Sequence, residues 1–307
     1  MLLIITHQQD YTVDFVVNQL NVKSIPYFRL NCEDLLTTPH RVHFSASGEL
    51  NFGKLAHVSA VWFRRVKQPM LPAGTAPHVA EYVTGELSAL LHNLYLLLDC
   101  KWVSQPTFIY QAENKLYQLK VAGTLGFTLP ETLVTNERQV LTDFYRVHGG
   151  EVIVKPLHNS RPVQPNGLQQ VIFTNRLDPS HLQQLDRYDL TPGIYQRNIA
   201  KAYEIRVTVV GTTVFAAAVD SQAVAATQQD WRRIRLPFKA YDLPAAEASR
   251  CVALVQALHL RFGAIDLIKG TDGQYYFLEI NPNGQWAWLE TDCGLPISQA
   301  IITELTS

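Results

Sequence analysis

Phe277-Leu278-Glu279-Ile280-Asn281-Pro282-Asn283-Gly284 is an apolar run that ends in two oxygen-bearing side chains. Alternate residues of an extended strand share a face, so Glu279 and Asn281 point the same way. Upstream lies Ala264-Ile265-Asp266-Leu267-Ile268, and the connection Lys269-Gly270-Thr271-Asp272-Gly273-Gln274 contains Asp-Gly, a tight-hairpin signature. With Asp272 and Gly273 as the two loop residues, Thr271 pairs with Gln274, Lys269 with Tyr276, Leu267 with Leu278 and Asp266 with Glu279. Directly opposed Cβ atoms are about 5 Å apart, where like charges repel. A divalent cation removes that conflict. Two carboxylates plus the Asn281 amide oxygen leave positions for water and phosphate oxygens, which suits Mg²⁺ better than an all-protein Ca²⁺ cage. Ala264, opposite Asn281, leaves room. The competing reading is a solvated acidic hairpin, and a longer loop would shift the register and undo the pairing.

With 307 residues, 47% hydrophobic and 17% charged, the chain is long enough for two or three domains and too apolar to be disordered. A net charge of −1 provides no global field for nucleic acid, so any anion site must be local. Cys32, Cys100, Cys251 and Cys293 are dispersed, with no His spaced for zinc, and read as reduced buried thiols. Met1 to Ile5 is too short for a signal-peptide core and has no basic lead-in. Leu87 to Leu98 is too short to span a bilayer, so no membrane partner and a cytoplasmic location are expected.

In chain order, Leu2 to Thr6, an amphipathic stretch over Val13 to Leu20 and Ile25 to Leu30 form a βαβ opening. A hairpin is expected over Phe44 to Gly53 and a strand over Val58 to Phe63, ending in Arg64-Arg65, either an anion site or a solvated pair. Glu81 to Asp99 is a helix with a wide leucine face, and Lys101 to Pro106 reads as the link out of a first domain. Helices over Asn114 to Leu125 and Glu137 to Val147 flank a strand, Glu131 to Thr135. The strand Val152 to Lys155 ends unusually in lysine. A polar run, Leu157 to Gly167, then precedes a strand at Val171 to Thr174 and suggests a loop able to close over a ligand. Gly193 to Ile199 is a short strand, Tyr203 to Val219 a hairpin over Gly211-Thr212, Asp230 to Arg235 a basic segment, and Glu247 to Arg261 a helix.

The order of Ile4-Ile5-Thr6-His7, Val61-Trp62-Phe63-Arg64-Arg65, Asn114-Lys115-Leu116, Gly126 to Thr135, Ile153-Val154-Lys155-Pro156, Glu204 to Gly211, Asp220-Ser221-Gln222, Phe262 to Asp266 and Phe277 to Gln285 resembles the ATP-grasp ligases. Within them it resembles the graspetide (microviridin-type) maturases, which form esters and amides in peptides. The likeness covers essentially the whole chain. It implies an α/β (α+β) ATP-grasp fold with an N-terminal pre-ATP-grasp α/β domain at 1–105, a central subdomain at 106–190 and a C-terminal subdomain at 191–307.

By the same resemblance Lys115 and Lys155 hold ATP phosphates, Gln196, Arg197, Asn198 and Ile199 belong to the hinge that meets adenine, and Glu204 takes the ribose hydroxyls. Arg206, on the Glu204 face, would point along the nucleotide toward the γ-phosphate, and Arg232 is a second catalytic cation. Asp266, Glu279 and Asn281 become ligands of Mg²⁺, in agreement with the hairpin argument. Many relatives carry Glu where Arg197 stands. The implied partner is a precursor peptide with a helical leader, and the implied assembly a homodimer.

The implied reaction is ATP-dependent macrocyclisation: a peptide Asp or Glu is activated as an acyl-phosphate and joined to Ser, Thr or Lys. An ATP-grasp ligase that adds amino acids to a protein tail, or builds a peptide such as glutathione, shares the same ATP and metal residues. Only the first domain and the Trp62–Arg65 and Asp220–Gln222 motifs argue against it. A regulatory nucleotide-binding module would have no reason to keep opposed carboxylates.

Overall fold

The computed structural model describes residues 1–51, 53–67, 69–158, 172–184 and 191–307. The first elements are β1 (Leu2–Thr6), α1 (Tyr11–Val22), β2 (Tyr27–Asn31), β3 (His43–Phe44), β4 (Leu50–Asn51), β5 (Ala60–Phe63), α2 (Pro77–Leu97) and β6 (Lys101–Val103). The strands β2-β1-β5-β6 make a parallel sheet, and β3-β4 a separate small hairpin. Both faces of β1 are buried, as its unbroken apolar run requires. Leu3 and Ile5 pack with Leu91, Tyr95 and Leu98 of α2 and its end, while Leu2 and Ile4 pack with Val13, Val16 and Leu20 of α1.

Two expectations change here. The leucine-faced helix starts at Pro77, since proline suits a helix's first turn, where no backbone donor is needed. The stretch read as a linker is β6, paired with β5 from Ala60↔Lys101 to Trp62↔Val103.

Next come α3 (Pro106–Ala112), α4 (Lys115–Thr124), β7 (Thr132–Thr135), α5 (Arg138–Val147), β8 (Val152–Lys155), β9 (Asn175–Arg176), α6 (Pro179–Leu182) and β10 (Gly193–Arg197). Strands β7-β10-β8-β9 form an antiparallel sheet over a small core of Leu141, Val152, Leu177 and Tyr195. The strand expected to end at Thr174 is not seen over 172–174, and β9 pairs with β8 instead; Val171 lies outside the described residues, as does most of the expected closing loop, 159–167.

The last part holds β11 (Lys201–Val210), β12 (Thr213–Val219), β13 (Lys239–Ala240), α7 (Ala245–Ala257), β14 (Phe262–Gly270), β15 (Tyr275–Asn281), α8 (Ala287–Cys293) and α9 (Ile297–Thr306). Its antiparallel sheet runs β13-β12-β11-β14-β15. Ile205, Val207, Ile265, Leu267 and Phe277 turn one face toward Leu254 and Val255 of α7 and Ala122 of α4. Helix α9 packs on α1, β5, β6 and β11, so the chain's end closes against the first sheet. Helix α7 stops short of the expected Arg261, and His259 beyond it takes φ 55°.

Candidate active site

The acidic pair is seated by the β14–β15 hairpin. Asp266 is opposite Glu279 and Ala264 opposite Asn281, the register expected from the sequence. The route differs. Gly270 N–H donates to the Gln274 carbonyl (2.9 Å) and Gly273, at φ 81°, donates to the Gly270 carbonyl (3.0 Å), so the loop is the three residues 271–273. Leu267 therefore pairs with Phe277, and an irregularity between Asp266 and Leu267 restores the register by leaving Leu278 as an extra residue. Such a bulge re-aims side chains beside it. Phe277 enters the core fully, while Leu278 and Glu279, consecutive residues, both face the cleft.

Edge strand β15 has its outer backbone groups satisfied by non-strand partners. The Gln118 side chain of α4 donates to the Ile280 carbonyl (2.8 Å) and accepts from the Ile280 N–H (3.0 Å), and Phe277 N–H donates to the Thr128 carbonyl (2.9 Å). A buried amide thus does the work of a neighbouring strand.

Behind the pair, Arg206 of β11 stands opposite Asp266 and donates from Nη1 to both carboxylate oxygens at 2.9 Å. Burial pushes the Asp266 carboxyl up; Arg206 opposes that and the neighbouring Glu279 charge adds to it. The Asn281 Oδ1 accepts from Asn283 N–H (3.0 Å), and an amide oxygen keeps a second lone pair.

A cleft opens above this floor, between the second and third sheets. Lys155 closes β8 at its rim, and burial pushes its ammonium down to about 8 against the opposing pull of Glu279. Lys115 is lowered by burial too, and its Nζ donates to the Pro156 carbonyl (2.8 Å). Arg232 is fastened to Asp230 through Nε (2.8 Å) and Nη2 (2.5 Å), which raises its own pKa. Burial would raise Asp230, but the Arg232 contacts bring it below its ordinary value. Glu204, raised by burial, accepts from Lys201 Nζ at 2.9 Å, with both side chains buried.

The segment after β10 differs from its neighbours in bonding. Asn198 N–H and Nδ2 both go to Glu151 (2.9 and 3.0 Å), whereas the N–H of buried Ile199 has no partner among the described residues. Gln196 donates to Thr132 Oγ1 (2.7 Å) and its buried Oε1 is unpartnered among the described residues.

Of the twelve residues singled out from the sequence, Lys115, Lys155, Gln196, Arg197, Asn198, Ile199, Glu204, Arg232, Asp266 and Glu279 line this one cleft. Arg206 and Asn281 do not. Arg206 was expected to run along a nucleotide; its Nη1 instead faces Asp266. Lys201, Gln229, Asp230 and Trp231 also line the cleft and were not singled out. Strand alternation puts Lys201 and Glu204 on opposite faces, and the irregularity between Lys201 and Tyr203 brings them together. Arg64 is neither solvated nor open to an anion: it is buried against Asp10.

Among the described residues no group of three or more His, Cys, Asp or Glu gathers. A metal would rest on two opposed carboxylates and one amide oxygen. That oxygen-only, incomplete set fits Mg²⁺, which keeps several waters and takes phosphate oxygens. The three cations across the cleft fit a polyphosphate.

The sheets, the cleft between them and this charge pattern define an ATP-grasp protein, and the first domain agrees: residues 1–109 match the family model of the MvdD pre-ATP grasp domain. The macrocyclase MdnC from Microcystis aeruginosa MRC, solved with the precursor peptide MdnA, is 29% identical, with 99% of each chain covered and a TM-score of 0.86. A Chryseobacterium gregarium RiPP-associated ATP-grasp ligase, solved with ADP and a leader and core peptide, is 28% identical over 99% of this chain and 96% of its own, with a TM-score of 0.90. The macrocyclase MdnB from Microcystis aeruginosa MRC is 29% identical, covering 99% and 98%, with a TM-score of 0.80. No curated protein matches the chain. The chain has the ATP-grasp fold with a pre-ATP-grasp first domain, and the proteins it is similar to are ATP-grasp ligases of the graspetide-maturase type.

Proposed function

We propose that this protein cyclises a ribosomally made precursor peptide, activating Asp or Glu side chains as acyl-phosphates at the expense of ATP and joining them to Ser or Thr as esters or to Lys as amides. The observation that carries the reading is the pairing of Asp266 with Glu279 on the floor of a cleft whose other wall presents Lys155, Lys115 and Arg232. A carboxylate oxygen is a poor leaving group, and ATP bound here supplies the phosphoryl group that makes it a better one.

In this reading the chain's own groups position and neutralise. Lys155, Lys115 and Arg232 hold phosphate oxygens, and Arg206 opposes the effect of burial on Asp266, which would hold Mg²⁺ alongside Glu279 and Asn281. The unpartnered Ile199 N–H is a donor for the adenine edge, and Ile268 and Leu278 supply apolar walls for the ring. Glu204, held by Lys201, faces the ribose. No enzyme nucleophile is needed, because proximity and charge supply the rate.

The reading includes the domain division at 105 and 190, a precursor with a helical leader, a homodimer and a cytoplasmic setting. Among the described residues no helix is long and apolar enough to cross a membrane.

The test is intact mass spectrometry of candidate precursors incubated with the protein, ATP and Mg²⁺. Loss of about 18 Da per ring, with ADP and phosphate released, is expected of an activated carboxylate closing on the same chain. Mass gained from free amino acids would establish the tail-adding ligase, and nucleotide binding without any mass change would defeat both readings.

A further inference from the structure

Arg64 follows β5 and is only 1% exposed. A guanidinium so buried needs several partners, and two segments provide them. Nε faces Asp10 Oδ2 at 3.4 Å, Nη1 donates to the Gly284 carbonyl at 3.3 Å, and Nη2 donates to Gln285 Oε1 at 3.1 Å. Asp10, 2% exposed, also accepts from Thr6 Oγ1 (2.9 Å) and Thr12 N–H (3.2 Å), and the Thr12 hydroxyl donates to the same Gln285 oxygen. Arg65 adds a bond from Nε to the Asn283 carbonyl at 3.3 Å. Both arginines thus grip the turn that directly follows Asn281.

The opposite side of that turn is held by Arg206, whose Nη2 donates to the Gln285 carbonyl at 3.5 Å while Nη1 holds Asp266. There is no slack between them: a Cβ on Gly284 would lie 2.7 Å from Arg206 Nη2 and 2.4 Å from the Ala264 Cβ. The hydrogen bonds run unbroken from Asp10 through Arg64, Gln285 and Arg206 to Asp266.

From this chain of contacts we infer that Arg64, acting through Gln285, is a positioning residue: the first domain fixes the Arg206–Asp266 pair and the Asn281 turn in the geometry that Mg²⁺ requires. Ligands of a metal are oriented by their own partners, and loss of such a partner typically lowers metal affinity 10- to 100-fold. The inference rests on the magnesium reading of Asp266, Glu279 and Asn281.

The experiment measures ADP binding by calorimetry on the full chain at a series of Mg²⁺ concentrations and in EDTA, alongside thermal melting. In Gln285→Leu the Mg²⁺ concentration giving half-maximal enhancement is expected to rise about tenfold, with ADP binding in EDTA unchanged. Gln285→Glu, which keeps an acceptor for Arg64, should restore the midpoint; Arg64→Lys, which reaches fewer partners, should not. Asp266→Asn tests the underlying reading separately: a wild-type Mg²⁺ response there removes the metal site and the inference with it. If Asp266→Asn loses the response while Gln285→Leu keeps the wild-type midpoint, the metal site stands and the positioning role is overturned, even if melting falls. Should Arg64→Lys not fold, the two Gln285 variants decide alone.

Discussion

The acidic wall of the cleft stands on the five-stranded sheet, where Asp266 and Glu279 lie between residues of the largest core and Asp266 already has a two-point partner in Arg206. On the basic side Lys155 ends a strand of the four-stranded sheet, over a core of Leu141, Val152, Leu177 and Tyr195, and its side chain makes no hydrogen bond or ion pair with another described residue. One wall has its geometry fixed before any ligand arrives. The other holds a desolvated charge whose natural partner is the ligand itself. Groups that must meet a small cation at set distances need the rigid support, whereas an ammonium serves phosphate as a point charge and tolerates a looser mount.

Breaking the acidic wall gives the largest expected effects, and the two carboxylates should differ. Asp266→Ala leaves Arg206 buried without its counter-charge, so chemical denaturation should show a loss of about 3–5 kcal/mol, together with a fall in Mg²⁺-dependent turnover of at least ~10²-fold. Glu279→Ala removes a like charge from beside Asp266; turnover should fall comparably while stability holds or rises. Equal destabilisation by the two would contradict the division of roles on that wall.

On the basic wall the signs change. Lys155→Met should leave stability level or raise it, since a poorly solvated cation disappears, yet weaken ADP binding by about 1.5–3 kcal/mol, roughly 10- to 100-fold in Kd by calorimetry. A clear drop in melting temperature would mean that Lys155 is a structural member of its sheet.

The finest test uses pH. Phosphate requires the ammonium form of Lys155, held down near 8 by burial, so ADP affinity should be level below about pH 7 and decline as pH rises past 8, by at most about tenfold per unit. Folding has the opposite dependence: the depressed pKa means the unfolded chain binds more protons between about 8 and 10.5, so this lysine's contribution to stability improves across that window. Lys155→Arg should flatten the binding profile, and a profile unchanged by that substitution would assign the titration elsewhere.

Where function is encoded locally, the sequence was a good guide. A strand-final lysine, an Asp-Gly turn and alternation sufficed to single out Lys155 and to oppose Asp266 to Glu279, whereas the other expected residues of the cleft were named only through the family resemblance. What escaped has a common cause. Lys201 joins Glu204 through a strand irregularity that inverts the alternation rule. Arg64 finds Asp10 across 54 residues and Gly284 across 220, so its local pattern of two charges after a strand could not announce a buried network. Strand β6 looked like a linker because three residues carry little pattern of their own and owe their conformation to pairing with β5.

The extra residue at Leu278 has a consequence for how this hairpin tolerates change. A two-residue loop with a regular strand and a three-residue loop with one residue extruded both set Asp266 against Glu279; they differ only in whether Phe277 or its neighbour faces inward. The far end of the hairpin is therefore out of phase with the carboxylate end by construction, and the extruded residue acts as a coupling that absorbs the difference. Drift in the turn can be taken up at that joint, exchanging what lines the apolar wall of the cleft while the carboxylates keep their places.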